Sequence, residues 1–329
     1  MKKVLITLVT VILIIVALSI IIPKINKENE IDFPTERTTL RIGSLKGPTS
    51  IGLLKMMEDN ENKTSINNYD FMITGTADEI TAKLIKGELD IAAIPCNLAS
   101  ILSNKAELSM LAINNFNVLY IIETGNKINS ISDLKGKTIY TTGKGTTPEY
   151  ILNYLLEVAG IKDEVIIEYK SESSEVAALL NQGKAEIAML PQPYVTTIKS
   201  QNPNLRIALD VGKEWEDLQQ DKISIVTAVI VARKDFIDNN KIAVDEFLKE
   251  YKESIEYVNN NIEEASNLSE KFDIIPLKVA KEAIPLCNIK YVDGQDMRDM
   301  VEGYLQILFD KNPESIGGKL PDANFYYKK

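Results

Sequence analysis

DEITAKLIKGELDIAAIP, residues 78–95, and SEVAALLNQGKAEIAMLP, residues 174–191, align without a gap at an offset of 96. Glu79/Glu175, Ala82/Ala178, Leu84/Leu180, Gly87/Gly183, Ile91/Ile187, Ala92/Ala188 and Pro95/Pro191 are identical, seven of eighteen positions. Each segment reads as an amphipathic helix, a glycine that ends it, and a short apolar strand closed by proline. Any helix–glycine–strand unit has this general look. The shared proline, and Lys46-Gly47 before Pro48-Thr49 matching Lys144-Gly145 before Thr146-Thr147, make duplication of an α/β unit the better account.

The pattern extends outward from both copies. Before the first copy lie a strand at Leu40–Gly43, a turn at Gly47–Ser50, a helix at Ile51–Met57 and a strand at Phe71–Ile73. Before the second lie a strand at Thr138–Tyr140, a Gly-rich turn at Thr142–Pro148, a helix at Glu149–Val158 and a strand at Val165–Tyr169. After Trp215 comes ISIVTAVIVA (223–232), a β-branched run suited to a strand that crosses between the halves. Val244, Phe247, Leu248, Tyr251, Ile255 and Val258 then fall at helical spacing, as do Met297, Met300, Val301, Tyr304, Leu305 and Leu308. Both stripes read as core-facing helices. The sequence therefore predicts an α/β fold of two similar lobes.

Composition narrows the function. The chain has 329 residues, which at roughly 150 per domain suggests two domains. It contains no histidine, which removes Ser-His-Asp and Cys-His catalysis and any His-ligated zinc. Two cysteines do not make a four-thiolate metal site, so neither a metal nor a cofactor is expected. A net charge of −10 argues against a nucleic-acid partner.

Met1-Lys2-Lys3 precedes Val4–Ile22, an apolar run whose polar members are Thr7, Thr10 and Ser19. This reads as a signal or anchor over 1–23, with an uncleaved anchor favoured because isoleucines follow the small-residue site Ala17-Leu18-Ser19. A polar tether over 24–37 follows. Setting aside Lys2, Lys3, Lys24 and Lys27 leaves 33 basic against 47 acidic residues, a balance of −14 on the body. The expected location is the extracellular face of the cell membrane, or the exterior if the segment is removed.

GTADEITAKLIKGELDIAAIP (75–95), ISDLKGKTIYTTGKGTTPEYILNYLLEVAGI (131–161) and AALLNQGKAEIAMLPQPYVT (177–196) resemble the solute-binding proteins of ABC importers with the type II periplasmic-binding-protein-like fold. VARKDFIDNN (231–240) and GGKLPDANFYY (317–327) share the likeness. The branch is the one that binds sulfonates, taurine, nitrate and pyrimidine precursors of thiamine. The resemblance implies a first lobe from 38–121 and 224–329, a second from 122–223, and a solute held between them with hinge closure. It also implies ABC permease subunits as partners, a monomeric receptor and no catalysis. Cys96 and Cys287 would share the first lobe, where a disulfide and two small buried apolar side chains are the alternatives.

In open α/β sheets a ligand lies beyond the carboxyl ends of the strands. The turns there nominate Gly47, Thr49 and Ser50 in the first half and Thr142, Gly145, Thr146 and Thr147 in the second. Free backbone N–H groups and hydroxyls at helix starts suit an anion or a carbonyl, with Lys46 and Lys144 able to add charge. Simple capping competes for the hydroxyls, and a solvated loop position for the lysines. Asn97 and Gln192 occupy equivalent strand exits and offer donors and acceptors for a polar molecule. Asn115 precedes a crossing strand, and Tyr194 and Trp215 are candidates to stack on a planar ligand. The ligand-binding set is thus Gly47, Thr49, Ser50, Asn97, Asn115, Thr142, Gly145, Thr146, Thr147, Gln192, Tyr194 and Trp215, for an anionic or heterocyclic organic solute. A sensor ectodomain and an enzyme on the same fold are the alternatives. The first would continue into a signalling module, and the second needs acid/base residues in the cleft.

Overall fold

A computed structural model of the chain describes residues 37–218 and 223–328. The anchor, and the tether up to residue 36, lie outside the described residues. Among the described residues, no helix is long and apolar enough to cross a membrane.

The strands run in the order β1 (Thr39–Leu45), β2 (Asn68–Thr74), β3 (Ile91–Pro95), β4 (Leu108–Phe116), β5 (Leu119–Thr124), β6 (Thr138–Thr141), β7 (Ile166–Tyr169), β8 (Ile187–Pro191), β9 (Leu205–Asp210), β10 (Val226–Arg233) and β11 (Ile289–Val292). They form two sheets. The first has the order β2-β1-β3-β10-β4-β11 and the second β7-β6-β8-β5-β9. In each, a parallel triplet (β2-β1-β3 or β7-β6-β8) is followed by antiparallel strands. The parallel pairs require crossover helices, which the amphipathic stretches supply. Gly43 lies opposite Ala92 in one sheet and Tyr140 opposite Ala188 in the other, so the aligned strands β3 and β8 pair with the corresponding strands β1 and β6.

The repeat has a physical content. Ile80 and Leu84 of helix Ala77–Ile85 are fully buried, as are their counterparts Val176 and Leu180 of helix Ser173–Asn181. Gly87 and Gly183 end these helices at φ 75° and 66°, where a side chain would be strained. The copies diverge at Asp90 and Glu186. Asp90 is buried and accepts the Arg41 backbone N–H at 3.0 Å and its Nε–H at 2.8 Å, tying β3 to β1. Glu186 is exposed.

Two short segments carry the chain between sheets. The first, Asn117-Val118, links β4 to β5; the second leads through residues 223–225 into β10. Asn117 joins them. Its N–H donates to the Ile225 carbonyl at 3.2 Å, and its Oδ1 accepts the Ile225 N–H at 3.1 Å. Its φ of 41° lies in the left-handed region, which Asn tolerates better than most residues.

One apolar cluster runs through both lobes and includes Trp215 and Tyr304. Separate clusters pack on the first sheet, with Phe247 and Tyr251, and on the second, with Val176 and Leu190. Cys96 and Cys287 are free, buried and in different clusters. Of the two alternatives for these thiols, the structure has the small buried apolar side chains.

Candidate functional site

The strand exits and both crossing segments converge on a cleft of about 410 Å³ between the lobes. Thr49, Pro95, Asn97, Leu98 and Ile101 line it from the first lobe, and Thr141, Thr142, Met189 and Pro191 from the second. Val118, Leu119, Ile225, Thr227 and Ala228 line it along the crossings, while Gly145, Thr146, Thr147 and Pro148 belong to the Gly-rich turn and the helix after it. Ala77 and Asp78 complete the wall.

Helices Ala77–Ile85, Cys96–Ser103 and Thr147–Val158 all begin here, and none has a side-chain cap. The first turn of an α-helix leaves backbone N–H groups without intrahelical partners, so such starts suit an acceptor atom. The hydroxyls of Thr49, Thr142, Thr147 and Thr227, with the Asn97 amide and the Asp78 carboxylate, add polar groups to a mostly apolar wall. Small molecules bind in concave sites of this composition, mostly apolar with few polar groups that fix orientation.

Asn97 is 7% exposed and is held from two sides. Its Nδ2 donates to the Ser315 carbonyl at 3.3 Å, and its Oδ1 accepts the Thr147 hydroxyl at 2.9 Å. The second bond crosses the cleft, since Asn97 follows β3 and Thr147 follows β6. Other ties accompany it. Tyr120 Oη donates to the Leu286 carbonyl at 2.9 Å, and Lys311 Nζ lies 3.3 Å from Glu157 Oε2. The Lys162 ammonium, helped by Lys311, holds the Glu157 carboxyl below its ordinary range.

The cleft brings together Thr49, Asn97, Thr142, Gly145, Thr146 and Thr147 of the residues nominated by sequence. The others are not among the residues that line this cavity. Gly47 is buried in its turn at φ 115°. Ser50 Oγ turns back to the Ser44 hydroxyl at 2.9 Å and the Leu45 carbonyl at 2.6 Å. Gln192 Oε1 accepts the Thr196 N–H and hydroxyl at 3.3 and 2.9 Å. Asn115 is fully buried in β4. Tyr194 is 45% exposed at the start of helix Tyr194–Gln201. Trp215 is 0% exposed; its indole donates to the Ile223 carbonyl at 2.8 Å, and its ring packs 4.7 Å from Tyr154 and 6.1 Å from Tyr304.

Sequence reasoning did not find Asp78, Thr141, Thr227 or the apolar side chains Leu98, Ile101, Leu119, Met189 and Ile225. Thr227 carried a signal, as a polar residue inside the run ISIVTAVIVA. Asn117 was also missed, though an asparagine between two strands marks a turn.

The model of the NMT1/THI5-like family matches residues 108–265. A search of the curated proteins finds no match. Among solved structures, an ABC transporter protein from Parabacteroides distasonis is similar with a TM-score of 0.76 at 23% identity, covering 89% of this chain and 99% of that one. The periplasmic aliphatic sulphonate binding protein of Escherichia coli has a TM-score of 0.73 at 18% identity, covering 89% and 93%. The periplasmic nitrate-binding protein of Synechocystis has 0.62 at 14%, covering 84% and 82%. The sulphonate and nitrate proteins are named for binding and not for catalysis. In fold the chain is a two-lobed, type II periplasmic-binding-protein-like molecule, and over residues 108–265 it matches the NMT1/THI5-like family.

Proposed function

We propose that this chain is the solute-binding component of an ABC importer, which captures a small organic molecule between its lobes and hands it to permease subunits. The observation that carries this reading is the cleft itself. Uncapped helix starts and threonine hydroxyls from both lobes face one apolar cavity, and the Thr147–Asn97 bond closes across it. The similar sulphonate and nitrate proteins are named for binding, which supports the same reading.

The finer parts of the proposal follow from it. The lobes, expected at 38–121 with 224–329 and at 122–223, divide instead just before β5, whose strand partners all belong to the second sheet, and move about the Asn117–Ile225 crossing. The receptor is monomeric and non-catalytic, and its N-terminal segment holds it on the extracellular face of the membrane. Permease subunits dock on the exposed ends of both lobes. Native mass spectrometry tests the reading directly. One small molecule per chain is expected, recovered chemically unchanged after prolonged incubation. Its conversion into a product would replace the receptor by an enzyme.

A further inference from the structure

We propose that the cleft selects a non-anionic ligand, an uncharged or cationic small molecule with an aliphatic body, and that Asp78 is the residue that disfavours anions. This rests on the solute-binding reading above and adds the charge class of the solute.

Two features would make the cleft a better anion site, and the structure directs both of them elsewhere. The lysines nearest in sequence are engaged away from the cavity. Lys46 Nζ lies 2.7 Å from the Asp273 carboxylate, and Lys144 Nζ sits 5.8 Å over the Tyr169 ring. Among the described residues no lysine or arginine lines the cleft.

The Gly-rich turn is filled from within. The Gly145 N–H donates to the Glu149 carboxylate, and the Thr146 N–H donates to the Gly143 carbonyl at 3.0 Å. The Thr146 hydroxyl also donates to the Gly143 carbonyl, at 2.6 Å. The loop's own carboxylate therefore takes the Gly145 N–H, so that donor is not free for an incoming anion.

The opposite wall carries Asp78. An acid at a helix start favours the helix dipole, but Glu79 supplies the same charge from the next position while its Oε2 accepts the Thr74 hydroxyl at 2.8 Å. Asp78 is the carboxylate among the cleft-lining residues. An anion entering would meet the helix starts, which favour it, but without a lysine or arginine beside them and with Asp78 as a like charge, and both that repulsion and its loss of water work against it. An amide or alcohol pays only ordinary desolvation and can use the helix starts and threonines. An ammonium gains from Asp78. The body of the ligand would rest on Leu98, Ile101, Leu119, Met189 and Ile225.

The test combines the molecule that co-purifies with a panel of one carbon skeleton. The co-purified molecule is released by denaturation and identified by mass spectrometry in both polarities. Ligand-stripped wild type and Asp78→Asn are then titrated by calorimetry with butane-1-sulfonate, pentanamide and butylammonium. The expected result is a non-anionic co-purified molecule and preference for the amide or ammonium over the sulfonate. Asp78→Asn should weaken ammonium binding about fivefold, the scale of one partly exposed ion pair, and should strengthen sulfonate binding. An anionic co-purified molecule, or tighter sulfonate binding that Asp78→Asn leaves unchanged, overturns the charge assignment and leaves the receptor reading standing. If no molecule co-purifies and no arm of the panel binds, both fall together.

Discussion

The Thr147 hydroxyl donates a 2.9 Å hydrogen bond to Asn97 Oδ1, joining the helix start after β6 to the helix start after β3 across the cleft. A bond of this kind is worth about 1 kcal/mol net. Thr147→Val keeps the shape and removes the donor. It should loosen binding of the co-purified solute about fivefold, measured by calorimetry, with little change in thermal stability. Unchanged affinity would remove this bond from the closing equilibrium.

Trp215, the chain's single tryptophan, sits between Tyr154 and Tyr304 at the seam of the lobes. Tyr154 belongs to helix Thr147–Val158, and Tyr304 to helix Gly294–Lys311. Intrinsic fluorescence should therefore shift when solute is added to stripped protein. Trp215→Phe should abolish the signal while preserving binding. A solute-insensitive emission would mean that Tyr154 and Tyr304 keep their places on this indole as solute enters.

Glu157 bridges Lys162 and Lys311, the second of which lies on helix Gly294–Lys311. Its carboxyl is held below the ordinary 4.5, so the folded state binds the proton more weakly than the unfolded chain does. The resulting stabilisation is complete above pH 4.5 and is lost as pH falls through the lowered value. The groups are substantially exposed, so the contribution is at most about 1 kcal/mol. The melting-temperature gap between wild type and Lys311→Met should shrink as pH drops below this range. A gap that is constant with pH would rule out the pair as its source.

Gly212 packs directly on Asn117, and a methyl at Gly212 would overlap Asn117 Cβ and Cγ. Gly212→Ala should cost about 2 kcal/mol through this overlap and should disturb the Asn117–Ile225 bonds. Chemical denaturation gives the energy, and solute titration shows whether closing suffers with it.

Cys96 and Cys287 are both buried, and burial pushes each thiol's pKa up. A thiol reagent should find no reactive group in native protein and two in denatured protein. Protection that required prior oxidation, and vanished with a reductant, would point to a disulfide instead.

The duplicated fold was legible because repetition preserves the positions that must be buried or bent: Leu84 with Leu180, Gly87 with Gly183, Ala92 with Ala188. The placement of Thr49, Thr142, Thr146, Thr147 and Asn97 beside the cleft followed for a related reason, since strand exits in α/β sheets face the ligand crevice. Side-chain direction did not follow. Gln192 sits at the equivalent exit to Asn97, yet its amide oxygen turns to its own helix at Thr196. Trp215 has Lys213, Glu214, Glu216 and Asp217 as sequence neighbours, and in that polar setting it was a candidate to stack on a planar ligand. Around the helix, however, its companions on the buried face are Val211 and Gly212. The apolar floor, from Leu98 to Ile225, comes from segments far apart in sequence and becomes one surface only when the lobes meet.

Closing of the two lobes on a solute is the central claim, and small-angle X-ray scattering reads it most directly. The co-purified solute is removed and then restored at saturation, with the radius of gyration measured in both states. The account predicts a larger radius for the stripped protein and a return to the smaller value with solute. Equal radii in the two states, with binding confirmed in the same sample, would contradict it.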